Sequence, residues 1–278
     1  LGQARNEFDI YSDLADALGV GPKFHENRSE MEWLERIYEQ WRERATGLGI
    51  PDLPPFADFW AGDILPLPPL VPAKGPLTAL REDGEPLRTP SGKVEIFSAE
   101  IDSFGYDDCL GHPAWHEPAE WHGSKLAEKF PLVLVANNPK SRLHSQLDVG
   151  GTSQATKEQG REPVRINPAD AAARGIADGD VVRLFNGRGS CLAGAVISDA
   201  VRPGVVQLST GAWHDPLDPA DPASMCVHGN PNVLTLDRGT SKLAQGCAGQ
   251  HSLVEMERWD APLPPVRIHE PPEIMVRS

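Results

Sequence analysis

Between residues 130 and 208, short apolar runs alternate with strong turn signals, and this pattern limits the fold more than any other feature of the chain. Pro131–Ala136, Val164–Ile166, Asp180–Phe185, Ser190–Ser198 and Val205–Leu208 are each too short for an amphipathic helix and fit buried strands. What separates them is specific. Asn167 can cap a helix, Pro168 suits its first position, Asp170 meets the positive end of its dipole and Gly175 stops it. Asp178-Gly179 and Arg202-Pro-Gly204 are turns, and Asn186-Gly187 is a hairpin signal. Residues 130–258 are therefore expected to form a mostly-β barrel with short helices.

The earlier part of the chain reads differently. Phe8, Tyr11, Leu14, Ala15 and Leu18 form one helical stripe ended by Gly19. Ser29 and Glu32 form a capping box ahead of Trp33, Leu34, Ile37, Tyr38 and Trp41. Residues 50–130 are irregular and proline-rich; within them Lys93–Ser98 alternates like a strand, and 101–121 reads as a connector with buried aromatics. A stretch this irregular needs a larger body to lie on.

Charge and cysteine content exclude several function classes. With 26 basic and 40 acidic residues, the formal charge is −14, which argues against a nucleic-acid partner. Cys109, Cys191, Cys226 and Cys247 include no C-x-x-C pair, so neither a disulfide framework nor a structural zinc site is expected. No apolar run reaches the length of a membrane span. The chain begins LGQARNEFDI, as if already inside a domain, so the parent protein is expected to extend further.

Several motifs then occur in a specific order. Asn137-Asn138-Pro139 precedes Arg142-Leu-His144-Ser-Gln-Leu147; Glu162 to Asp180 follows; then come Gly211-Ala-Trp213, Asn232-Val-Leu-Thr235, Gly239 to Gly246 and Cys247-Ala-Gly-Gln250. Together with Thr89–Ser98 and Phe104-Gly-Tyr106, they make the chain resemble the C-terminal part of a molybdopterin oxidoreductase of the dimethyl sulfoxide, trimethylamine N-oxide and biotin sulfoxide reductase family, with the biotin sulfoxide reductase branch most similar.

The resemblance implies a double-psi β-barrel at 126–278, the molybdopterin dinucleotide-binding domain, preceded at 1–125 by the helical, loop-rich remainder of the catalytic body. It implies that Asn137, Asn138, His144, Asn232, Gly249 and Gln250 contact the pterin ends of a bis(molybdopterin guanine dinucleotide) molybdenum cofactor. Many relatives carry His where this chain has Asn138. Asn and Gln offer donors and acceptors on one side chain, and glycine permits close approach. Lys140 and Arg142 are solvated charges or pyrophosphate partners on this reading. The whole enzyme would reduce an S-oxide or N-oxide by two electrons. Its partners would be the remaining N-terminal domains and the oxide substrate, with neither nucleic acid nor membrane. The isolated chain would be inactive and without cofactor, since the serine that ligates molybdenum in this branch lies upstream. The parent is expected in the cytoplasm, or in the periplasm if a twin-arginine signal precedes Leu1.

Competing constellations are weaker. Pro113 breaks the helical spacing that would let His112, His116 and His122 share a metal. His144, Ser145 and Asp148 lack a nucleophile elbow. Cys247 reads as a small buried hydrophobe. The rival of another class is a double-psi barrel acting as a binding module without a redox cofactor.

Overall fold

The structure, a computed structural model, describes residues 3–50, 52–68, 75–246 and 252–271. Gly249 and Gln250 lie outside the described residues, as does Cys247. The chain forms two compact units, Leu1–Lys93 and Val94–Ser278.

The first unit is helical. α1 (Glu7–Ala17) starts at Asn6, whose side chain accepts the Phe8 N–H. After the short α2 (Gly21–Phe24), α3 (Glu30–Gly47) opens on the capping box read from the sequence: Ser29 accepts the Glu32 N–H, and Glu32 reaches back to the Ser29 N–H. α4 (Phe56–Ala61) packs Phe56 and Phe59 on Tyr38, with ring centroids 5.8 and 4.5 Å away. The stripe on α1 is not buried as a stripe, however. Ala15 is inside, while Tyr11, Leu14 and Leu18 are exposed.

The second unit is built on a closed barrel with the strand order β1-β5-β2-β4-β3-β6. Its strands are β1 (Leu132–Val135), β2 (Pro163–Ile166), β3 (Val181–Phe185), β4 (Ser190–Ile197), β5 (Val205–Leu208) and β6 (Ser252–Arg258). β1 runs parallel to β5 and β2 parallel to β4; the other four pairings are antiparallel. This is the double-psi β-barrel expected from the motifs. Alternation fills its core: Leu132 and Leu134 point inward from β1, and Val164 and Ile166 from β2, all at 0% exposure. Burying each such side chain contributes about 1.5–3 kcal/mol.

Local signals place the connections. The helix Pro168–Ala173 is capped by Asn167, whose Oδ1 accepts the Ala169 N–H at 3.0 Å. Asp170 does more than face the helix dipole, since its Oδ2 accepts the Gly204 N–H at 2.7 Å. The β3–β4 hairpin forms with Phe185 opposite Ser190. Its connection has four residues rather than two, and neither Asn186 nor Gly187 takes a positive φ. Asn186 serves through its side chain instead: Nδ2 donates to the carbonyls of Leu234 (2.8 Å) and Leu253 (3.0 Å), while Oδ1 accepts the Arg188 N–H.

Two expectations fail. Lys93–Ser98 is not a strand: among the described residues it joins no β-ladder, Val94 and Ile96 are 63% and 79% exposed, and Ser98 caps the helix Ala99–Ser103. Nor are the connector's aromatics buried, with Phe104, Trp115 and Trp121 all exposed. Among the described residues, no helix is long and apolar enough to cross a membrane.

Candidate functional site

Two hollows open where loops leave the barrel. One, of about 430 Å³, is lined by His144, Thr210, Gly211, Trp213, Asn230 and Asn232. The other, of about 110 Å³, is lined by Asn137, Asn138, Lys140, Arg165, Gln207 and Ser209. The successive residues Ser209 and Thr210 each face one of them. The predicted site residues thus fall into two groups, His144 with Asn232 and Asn137 with Asn138. A wider groove of about 710 Å³ at Arg174 and Glu257–Ala261 contains none of them, and its cations are paired, Arg174 with Glu255 and Arg258 with Asp260, each at 2.7 Å.

Backbone contacts hold the loops together. The Asn137 carbonyl accepts the Thr210 N–H at 2.9 Å, in line with the parallel β1–β5 pairing below it. His144 has a φ of 49°, an uncommon conformation for a side chain other than glycine. Opposite it, Gly211 has a φ of 92°, and a Cβ there would lie 1.9 Å from the His144 carbonyl oxygen. Only glycine lets the two rims come this close. Asn232 sits in the 3₁₀ turn Pro231–Val233 without a positive φ; Asn230 caps that turn by accepting the Asn232 N–H at 2.9 Å. A left-handed turn is therefore not the reason for an asparagine at 232.

Arg142 departs most from the sequence reading. Its side chain is neither solvated nor directed to a ligand; it is 1% exposed. Nε donates to the His144 carbonyl (3.0 Å), one Nη to Ser153 (3.2 Å), and the other to both the Thr210 carbonyl and Glu162 (3.1 Å each). It thus ties the 142–144 loop to the 209–211 wall. Lys157 completes a buried quartet, with Nζ 2.8 Å from Asp148 and 2.6 Å from Glu162. Two cations and two carboxylates balance there, as buried charges require.

Burial acts to raise the Asp148 carboxyl, but Lys157 and the Trp213 N–H overcome it and hold the group well below the usual carboxylate range. His228, fully buried, is lowered to about 4 by desolvation first and by the Lys157 charge second. Its Nδ1 donates to the Trp213 carbonyl at 3.0 Å. Asp148, His228 and His269 bring ligand atoms within 4.8 Å of one another, a metal-like spacing that the sequence reading missed. A divalent cation there would add positive charge beside Lys157 and Arg142, which already compensate the carboxylates, so the cluster fits a structural role better. His112, His116 and His122 do not form such a group among the described residues; His122 donates to the Gly204 carbonyl at 2.9 Å.

Arg165 and Gln207 are among the site-lining residues that sequence reasoning passed over, with Ser209, Thr210 and Asn230. The signal available for Arg165 and Gln207 was a polar side chain inside an otherwise apolar strand, in PVRI and again in VVQL.

Comparison with known proteins bears on this arrangement. The family described as "Molydopterin dinucleotide binding domain" matches residues 132–253. The dimethyl sulfoxide/trimethylamine N-oxide reductase of Cereibacter sphaeroides is 49% identical over 262 residues, 93% of this chain and 32% of that protein. The biotin sulfoxide reductase of the same organism is 46% identical over 259 residues, 92% of this chain and 34% of that protein. Trimethylamine-N-oxide reductase 1 of Escherichia coli K12 is also 46% identical, over 93% of this chain and 31% of that protein. The chain thus spans about a third of the length of these curated relatives. Among solved structures, acetylene hydratase from Pelobacter acetylenicus superposes with a TM-score of 0.66 at 20% identity, over 93% of this chain and 33% of that chain, a likeness of fold.

Proposed function

Since the chain belongs to the dimethyl sulfoxide, trimethylamine N-oxide and biotin sulfoxide reductase family and carries its molybdopterin dinucleotide-binding domain, we propose that its two hollows hold the pterin ends of a bis(molybdopterin guanine dinucleotide) molybdenum cofactor. The observation that carries this reading is a coincidence of extents. The family match at 132–253 runs from the start of β1 through β5 to the first residues of β6, and the loops leaving that barrel present Asn137, Asn138, His144 and Asn232. The donor set fits the ligand: side-chain amides and a histidine are what the edge of a pterin calls for. Gly249 and Gln250 belong to the same proposed site, in a barrel domain that we begin near residue 126.

When bound, the cofactor supplies the two-electron, oxygen-atom chemistry of an S-oxide or N-oxide reductase. The residues of this chain bind and orient it and contribute no catalytic group. On this reading the missing two-thirds of the parent supply the metal ligand and the oxide pocket. The 278-residue chain alone then shows no reductase activity and retains no cofactor. We place the parent in the cytoplasm, or in the periplasm if a twin-arginine signal precedes Leu1.

The test uses the full-length protein. Metal analysis should find molybdenum, and denaturation under oxidising conditions should release a fluorescent pterin. A full-length protein, folded after expression in a host that makes the cofactor, that contains neither would overturn the reading and favour a barrel acting only as an interaction module.

A further inference from the structure

The orientation of the Asn137 amide is fixed by a row of hydrogen bonds that starts at a side chain with no acceptor. Arg165 of β2 and Gln207 of β5 are direct cross-strand partners, and Gln207 is partnered on its other side by Val135 of β1. Asn137 follows Val135 by two residues and takes the next place on the same face. Arg165 Nη1 bonds to Gln207 Oε1. Arginine can only donate, so this bond makes Oε1 the end of the glutamine that faces β2. Gln207 Nε2 must then face away, and its two hydrogens go to Asn137 Oδ1 at 2.6 Å and to Ser209 Oγ at 2.9 Å. With Oδ1 occupied, Asn137 presents Nδ2 to the hollow. One Nδ2 hydrogen makes a long 3.3 Å bond to the Asn138 carbonyl, and among the described residues the other has no acceptor. Turning either amide over would set two donors against each other at bonding distance.

We propose that Asn137 meets the ligand of its hollow only as a hydrogen-bond donor, so the atom it recognises is an acceptor: an oxygen or an unprotonated ring nitrogen. Arg165 and Gln207 are positioning residues that impose this polarity from the barrel wall. The inference rests on the cofactor reading and sharpens it, because an asparagine is otherwise free to offer either end.

Two measurements on the full-length protein test it. Molybdenum and released pterin per chain are compared between the wild type and variants. Asn137→Asp keeps the shape and still accepts from Gln207, but it has no hydrogen to give, so loading should fall about tenfold, the order expected for one lost bond. Arg165→Met frees Gln207 to turn and should lower loading, while Arg165→Lys, again donor-only, should restore most of it. Wild-type loading in Asn137→Asp, or equal loading in both Arg165 variants, overturns the proposal. The second measurement needs no bound cofactor. Neutron diffraction from deuterated protein should show deuterium on the amide end of Asn137 that faces the hollow, and a bare oxygen there overturns the proposal even if the variants fail to fold. Absence of metal and pterin from the wild type would instead count against the cofactor reading.

Discussion

Replacing Arg142 by Met should destabilise the barrel far more than a loop substitution normally does. Its guanidinium is 1% exposed and pairs with Glu162, itself 2% exposed. Breaking a buried pair by removing one partner costs about 3–5 kcal/mol, because the remaining charge is stranded. The carbonyls of His144 and Thr210 also lose their donor, at about 1 kcal/mol each. For a domain of this size each kcal/mol moves the melting point by roughly 2–4 °C, so calorimetry should place the barrel transition about 10 °C or more below wild type. The double variant Arg142→Met/Glu162→Gln tests the mechanism. It removes one charge of each sign and leaves Lys157 paired with Asp148, so it should lose clearly less than the sum of the two single variants. A melting point of Arg142→Met within 2 °C of wild type, or strictly additive losses in the double variant, would refute the quartet argument.

Three further outcomes are expected. His228 has a folded-state pKa of about 4 against an ordinary 6.5, so its stabilising effect is complete above pH 6.5 and is lost as the pH falls towards 4, roughly 3 kcal/mol in all. His228→Asn should flatten the melting-point profile in that window, and an unchanged slope would count against His228 as its source. Gly211→Ala should lower both the melting point and cofactor loading of the full-length protein, since a Cβ 1.9 Å from the His144 carbonyl forces the two rims apart; wild-type values for both would show that the rims yield freely. Asn186→Ala should cost about 1 kcal/mol in denaturant unfolding by removing a donor from the Leu253 carbonyl, the Leu234 carbonyl keeping Arg188 Nε at 2.9 Å, whereas a loss below about 0.3 kcal/mol would reduce Asn186 to an ordinary turn residue.

The barrel was legible in the sequence because its parts are encoded locally. Asn167 caps its helix without help from distant residues, and Leu132 and Leu134 share a face by alternation alone. The strand order was not legible, since β1 lies beside β5 from more than 70 residues further on. Alternation also misled at Lys93–Ser98: it describes which side each residue points to, but a strand needs a partner. Arg142 was misread for a related reason. A cation in a loop is normally solvated, and the groups that bury this one, Glu162 and Thr210, stand 20 and 68 positions away. At Asn186 the hairpin was legible but its cause was not, because the turn depends on carbonyls 48 and 67 positions downstream. The four described site residues came from motif order, and the separation into two hollows came only with the loops in place.

The acidic character of the chain bears on whether an anionic dinucleotide can approach at all. Forty acidic residues against 26 basic ones would seem to repel it. Screening at physiological salt acts over about 8 Å, so the charges that matter are those lining the hollow. At the Asn137 hollow these are Lys140, Arg165 and Glu162. Both Lys157, at 2.6 Å, and Arg142, at 3.1 Å, bond to Glu162 Oε2, so the one carboxylate in that wall is already neutralised from within. Arg142, read from the sequence as a solvated charge or a pyrophosphate partner, instead cancels a buried charge, and among the described residues Lys140 and Arg165 have no carboxylate partner and are the charges the ligand meets. On the cofactor reading this explains how a chain of net charge −14 can present a locally cationic, donor-rich rim: the buried quartet removes the negative charge from the wall.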